Sequence, residues 1–300
     1  MTDPSTAPES RVADTESTGD LFIADAADSD VRDERLSVSF DPEAARQRIE
    51  TVVRETVDDA DASGAIVNMS GGLDSTVTAA LAVDALGAER VYGLILPCTK
   101  LGATSARDAE ALADALGIDY DTVHLQPLFA RFGSIVPDGF EFHDEPVWAG
   151  NAIARLRMLL AYFAANATGR LVCGTTNRSE RLLGYFTKHG DGAADLLPIG
   201  HLYKTEVRAL AETLDVPEFV LDKEPTAGVR PGQVDADDLG APYDVIDPIL
   251  RLGIDFGLDP DTVAAQTGVD VATVVDLLDR YEATVHKRRM PTVPARDDGR

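Results

Sequence analysis

Residues 70–75 read SGGLDS, a stretch whose residue types suit the handling of phosphate. A glycine pair lets successive backbone N–H groups turn to one side and form a nest for an anion. Upstream lies a strand-like run, AIVNM (65–69), and downstream a helix-like run from Ser75 to Gly87. A helix that starts there adds unpaired N–H groups and the positive end of its dipole. Ser70 and Ser75 add hydroxyl donors. Asp74 repels a phosphate unless a divalent cation bridges the two. The chemistry is that of a phosphate cradle with a built-in metal ligand. It is neither a Walker A loop, because the Gly-Lys-Ser/Thr ending is missing, nor a Gly-x-Gly-x-x-Gly dinucleotide turn.

The elements that position this loop are readable from periodicity. DPEAARQRIETVVRETVDDA opens with Asp41 as a helix cap and Pro42 at the first helical position, with Ile49, Val52, Val53 and Val57 at helical spacing. After the loop and its helix, RVYGLILP (90–97) predicts a second buried strand. A helix begins at Thr104 or Ser105 and stops at Gly117, IDYDTVHL (118–125) is a third strand, and GRLVCG (169–174) a fourth. GNAIARLRMLLAYFAANATG (150–169) carries apolar residues on most sides and is expected to be largely buried. Strands alternating with helices imply a parallel sheet, whose ligands sit at the carboxyl ends of its strands. The loop lies at such an end. Beyond residue 200 the pattern is mostly helical, with one polar stretch from about 223 to 236.

Composition narrows the partners. The chain has 300 residues, with 52 acids against 27 basic residues, a formal net charge of −25. That excludes a nucleic-acid surface, which needs a basic footprint. Acids spread throughout suit a strongly hydrated surface at high salt. Only five lysines occur, at 100, 188, 204, 223 and 287, so each is a candidate for a task that needs an ammonium ion. Residues 1–40 hold ten acids, three arginines and few apolar anchors, and are expected to be a disordered acidic tail. No secretory signal or membrane-spanning run is seen, and two cysteines build neither a disulfide framework nor a thiolate-rich zinc site. A cytoplasmic location follows as the expectation.

SGGLDS resembles the PP-loop of ATP pyrophosphatases. The long run from Cys173, with GYFTKHGDGAADLLPIGHLYKTEVR at its centre, GNAIARLRM before it and HKRRMP near the end, resembles NAD synthetase over about residues 45–295. The implied fold is α/β: a Rossmann-like parallel sheet with helices on both faces, adenine nucleotide alpha-hydrolase-like, with a helical C-terminal part. The implied organisation is the acidic tail 1–40, a single synthetase domain 41–295 and a flexible C-terminus 296–300. The implied activity is ATP-dependent amidation of deamido-NAD by ammonia through an adenylated intermediate, giving NAD, AMP and pyrophosphate. Mg²⁺ is the implied cofactor, ATP the co-substrate, and a homodimer the implied assembly, with no nucleic-acid or membrane partner.

Carried over position by position, the resemblance implies Mg²⁺ ligands at Asp74 and Glu180. It implies ATP contacts at Asn68, Met69, Ser70, Gly71, Gly72, Leu73, Asp74, Ser75, Thr175, Lys204 and Thr226. Deamido-NAD contacts fall at Arg155, Lys188, Asp195, His286 and Lys287, and catalytic roles at Asp74, Lys188 and Lys204. Bland readings stand beside several of these. Glu180 alone is an ordinary first-turn helix acid, Thr175 a helix cap, and HKRR a solvated helix end. Arg155, in apolar surroundings, needs an anionic partner, from a ligand or from an internal acid. Residues 223–240 read as a lid over ATP. Cys98 and Cys173 read as core thiols, Trp148 and Phe163 as packing or dimer contacts. About 40 residues before the synthetase region leave no room for a glutamine-hydrolysing domain, so free ammonia, or ammonia from a separate glutaminase, is the expected donor. The competing readings are another PP-loop amidotransferase or thiolase, and a nucleotide-binding module without catalysis.

Overall fold

A computed structural model describes residues 40–98, 102–140, 146–228 and 232–294. The expected acidic tail and the flexible C-terminus lie outside the described residues, Phe40 excepted, as do Lys100, His143 and residues 229–231 of the polar stretch.

The elements run α1 (Pro42–Asp59), β1 (Ala65–Asn68), α2 (Leu73–Leu86), β2 (Val91–Ile95), α3 (Gly102–Leu116), β3 (Asp119–Thr122), α4 (Gln126–Gly133), α5 (Pro146–Thr168), β4 (Leu171–Cys173), α6 (Arg178–Leu183) and α7 (Lys204–Thr213). The remaining helices are α8 (Glu218–Leu221), α9 (Asp235–Leu239), α10 (Tyr243–Leu250), α11 (Pro260–Thr267), α12 (Val271–Ala283) and α13 (Val285–Arg288). All strand pairs are parallel, in the order β3-β2-β1-β4, with Ala65 opposite both Val91 and Leu171. The chain order reverses between β1 and β4, which is where an open parallel sheet offers a crevice.

The period of two along β1 sorts its side chains. Ala65 and Val67 enter a core shared with Val53 and Val57 of α1, Leu81 of α2 and Leu210 of α7. Ile66 points the other way, into a core with Leu94, Val172 and Ile153 and Met158 of α5. Helices thus cover both faces. Full burial of each such valine, leucine, isoleucine or methionine side chain contributes about 1.5–3 kcal/mol. A third core, with Ile246, Ile249 and Leu250 of α10 against Val263, Val274 and Leu277, holds the C-terminal helices together. α1 begins as expected, with the Asp41 carboxylate accepting from Ala44 N–H at 3.0 Å.

The long helix differs from its expectation. α5 buries Ile153, Met158, Ala161 and Ala165, but Leu159 and Phe163 are 60% and 69% exposed, and Trp148 is half-exposed. Its apolar residues circle the helix, and the described chain supplies a core for only one side.

Candidate active site

The glycine-rich loop closes β1 and opens α2. Gly71 has φ +74°, a region open to glycine without strain, and a Cβ added there would lie 2.5 Å from Ser105 O of α3. Gly72 caps α2 and, as glycine, brings no side-chain acceptor to the first N–H groups of the helix, while its own N–H meets Ser70 Oγ at 3.3 Å. The two serines hold the loop's own shape. Ser70 Oγ and Ser75 Oγ lie 3.0 Å apart, Ser70 N–H donates to Ser75 Oγ at 3.2 Å, and Ser75 Oγ donates to Gly72 O at 3.1 Å.

A cavity of about 1040 Å³ opens over this loop, lined by residues 68–75 together with Thr175, Glu180, Lys204, Thr226 and Lys287. The volume reaches the upper end of what one small-molecule site occupies, roughly 300–1,000 Å³. Glu180 arrives through a capping box at the start of α6, with its N–H on Asn177 Oδ1 at 3.0 Å and its carboxylate accepting Asn177 N–H at 3.3 Å. Asn177, not Thr175, is therefore the cap, because the β-region residue one turn before the box partner takes that place. Thr175 lies before it in the cavity wall. Asn177 Nδ2 also donates to Asp74 Oδ1 at 3.3 Å, which ties β4's end to the loop.

Lys204 stands between the two acids. Its ammonium donates to the Asp74 carboxylate and lies 3.7 Å from Glu180 Oε1, with only 9% of the side chain exposed. Burial alone would lower its pKa, but Asp74 and Glu180 more than offset this and raise it, so the ammonium is held charged. The acids outnumber it. Burial, then the neighbouring Asp74 charge, push the Glu180 carboxyl up to about 8. Among the described residues no cluster of three or more acids, histidines or cysteines is arranged as a metal cage.

One layer out, Asp247 of α10 joins the two helices that carry this group. It accepts from Ser179 Oγ at 2.5 Å and from Thr205 N–H and Oγ–H at 2.9 Å each, while Ser179 Oγ accepts Lys204 N–H at 2.9 Å. Each contact lies one residue from Glu180 or Lys204, or on Lys204 itself.

The five residues expected at deamido-NAD do not converge on this cavity within the chain. Lys287 lines it, its ammonium on Gly184 O and 4.8 Å from the Phe186 ring centre. Lys188 Nζ donates to His286 O at 2.8 Å, and the Arg155 guanidinium donates to Lys188 O at 3.2 Å. Arg155, Lys188 and His286 are thus linked in sequence of contact, and Lys287 follows His286 in the chain. Arg155 is exposed and on a carbonyl, which corrects the expectation of apolar surroundings: its side of α5 faces outward. Asp195 instead braces β4, accepting Val172 N–H at 2.7 Å and Tyr162 O–H at 3.2 Å. Arg288 of the HKRR run and Arg280 of α12 serve as a cap. Arg288 donates to Leu182 O at 2.6 Å and Arg280 to Leu183 O at 3.2 Å, satisfying the free carbonyls that end α6.

Several cavity residues escaped the sequence reading. Arg157, two positions after Arg155 and so on the opposite side of α5, lines the cavity with Nε on Leu96 O at 3.1 Å. Asp235 accepts from Tyr185 O–H at 3.1 Å and Tyr243 O–H at 3.0 Å beside Lys204. Cys98 and Cys173 are buried, as expected, and both reach the cavity wall.

A parallel α/β sheet with a glycine-rich phosphate loop after its first strand, and acids and a lysine facing that loop across the sheet's crevice, defines an ATP-using enzyme of the PP-loop class. The family model for NAD synthase matches residues 45–291, and the chain belongs to that family. It is 42% identical over 249 residues to the NH(3)-dependent NAD(+) synthetase of Halobacterium salinarum, covering 83% of this chain and 92% of that protein. Against the protein of the same name from Methanosarcina mazei it is 44% identical over 256 residues, 85% of this chain and 99% of the relative. Among solved structures it resembles an NMN synthetase from Francisella tularensis (TM-score 0.74, 34% identity, 85% and 99% coverage). An NH3-dependent NAD synthetase from Campylobacter jejuni gives a TM-score of 0.70 at 28% identity, with 85% and 100% coverage.

Proposed function

We infer that this chain amidates deamido-NAD with ammonia and ATP, giving NAD, AMP and pyrophosphate. The observation that carries the reading is the convergence of residues 68–75, Glu180, Lys204 and Thr226 on one large cavity. In the first step a nicotinate carboxylate oxygen attacks the α-phosphorus of ATP, and the bond to the pyrophosphate oxygen breaks. In the second, ammonia adds to the acyl carbon, AMP leaves with the electron pair, and the nitrogen gives up one proton to solvent. Adenylation is needed because a carboxylate is anionic and lacks a leaving group.

The loop N–H groups would hold the triphosphate, and Lys204 would offset the charge that develops on pyrophosphate. Asp74 and Glu180 fit Mg²⁺, a hard cation that takes one or two carboxylates together with substrate phosphates. When bound, Mg²⁺ would supply charge neutralisation at the phosphates. Thr175 and Thr226 would contact ATP. Arg155, Lys188, Asp195, His286 and Lys287 would serve deamido-NAD, with Lys188 acting on the dinucleotide's charge. Residues 41–295 would form one catalytic domain.

A homodimer would account for the exposed Trp148, Leu159 and Phe163 on α5. It would also let residues remote from their own cavity serve the partner's. The acidic surface suits a salt-rich cytoplasm, and a melting temperature that fell steadily in molar KCl would contradict this. Among the described residues no helix is long and apolar enough to cross a membrane.

The test is pyrophosphate release from ATP. Release that requires deamido-NAD, with NAD formed only when ammonium is added, supports the reading. Equal turnover of nicotinate mononucleotide would move the assignment toward the mononucleotide, and binding of ATP without pyrophosphate release would leave a nucleotide-binding module.

A further inference from the structure

Lys223 opens the polar stretch after α8, far in sequence from the phosphate loop, yet its ammonium donates to Gly71 O at 2.7 Å. The same nitrogen lies 2.6 Å from the Asp108 carboxylate of α3 and 5.4 Å from the Phe219 ring centre. Gly71 O belongs to the peptide unit whose N–H is that of Gly72. In a trans peptide the two point in opposite directions. Holding the carbonyl at Lys223 therefore turns the Gly72 N–H the other way, where it meets Ser70 Oγ at 3.3 Å in the cavity wall.

That orientation needs holding. At the N–H end the Ser70 Oγ contact is long, 3.3 Å, and with glycine on both sides no Cβ resists rotation of the unit. The tight packing of Gly71 on Ser105 fixes where the loop sits, but not which way the peptide faces. A flipped unit would present a carbonyl oxygen to an anion in place of a donor.

We propose that Lys223 is a positioning residue for the phosphate cradle: it locks the Gly71–Gly72 peptide with its N–H toward the nucleotide, and Asp108 holds Lys223 in place. Through it, the cradle is set only when the start of the polar stretch is seated against α3. The proposal rests on reading the cradle as the ATP triphosphate site.

The test uses the full chain with Lys223→Met, Lys223→Arg and Asp108→Asn, a non-hydrolysable ATP analogue, and the amide resonance of Gly72. In the wild type the analogue must shift that resonance. If it does not, the cradle reading itself fails and the proposal falls with it. Given that shift, Lys223→Met is expected to move the Gly72 resonance in the nucleotide-free protein and to weaken the analogue about tenfold or more. Deamido-NAD should stay within about twofold, and Lys223→Arg should restore much of both readouts. Weakened analogue binding with an unmoved resonance would assign Lys223 a direct phosphate contact and overturn the proposal. Unchanged binding would overturn it too. Should Lys223→Met fail to fold, Asp108→Asn decides: it is expected to move the same resonance part of the way, and no movement would count against the lock.

Discussion

The Lys204 ammonium rests on the Asp74 carboxylate, although 130 positions separate the two residues. One comes from the first turn after β1 and the other from the first residue of α7, so the pair stitches the C-terminal half of the chain to the phosphate loop. It places a fixed positive charge beside the helix end that would receive phosphate. Electrostatic help of this kind is strong because it is set before the reaction begins.

Asp74→Asn removes the charge that orients Lys204 and one of the two acids suited to Mg²⁺. The variant is expected to keep the fold and to lose roughly 10²–10³ in turnover, with partial rescue by high Mg²⁺ at most. Unfolding curves and pyrophosphate release check both halves. Turnover within a few-fold of wild type would contradict the assigned role.

Lys287 meets Gly184 O and the Phe186 ring at the cavity wall, on the side of Lys188 and His286. Lys287→Ala is expected to weaken deamido-NAD about tenfold and ATP much less, as titration calorimetry with each ligand would record. Equal weakening of both ligands would place Lys287 elsewhere in the reaction.

Much of this architecture could be read from the chain alone. Alternating AIVNM, RVYGLI and GRLVC segments with helical repeats between them yielded the parallel sheet, and Gly71-Gly72 placed the loop at a strand end. Arg155 and Arg157 show what such reading cannot separate. Both sit on one apolar helix two positions apart, and only packing decides which faces the cavity. Arg288 shows the same limit: the basic run at the helix end does not reveal that free carbonyls of α6, distant in sequence, occupy this one arginine. Asp247 gave no signal, since its partners Ser179 and Thr205 lie far away in the chain.

Asp247 yields a pH prediction. Burial is the main influence on its carboxyl and raises its pKa in the fold despite the donors from Ser179 and Thr205. The folded protein then binds the proton more tightly than the unfolded chain, whose value is about 3.9. Its contribution to stability is complete below that value and is lost as pH rises through the elevated folded value. Asp247→Asn removes this titration and disrupts the three donors, destabilising by about 2–4 kcal/mol. The stability gap between wild type and variant, measured in urea, is expected to shrink as pH rises from about 4 toward neutrality. A gap that widens would contradict the sign.

Leu159 and Phe163 stand exposed on α5, on the side left bare by the cores. If this face joins two copies, Leu159→Asp with Phe163→Asp should convert a dimer to a monomer in sedimentation experiments and leave the fold intact. A wild-type protein that sediments as a monomer at all concentrations would remove the interface.

The most direct measurement is a crystal structure of the protein with Mg²⁺ and a non-hydrolysable ATP analogue. The triphosphate oxygens are expected within about 3 Å of the main-chain nitrogens around Gly71 and Gly72, with the metal on Asp74. A triphosphate lodged away from that loop would contradict the central claim.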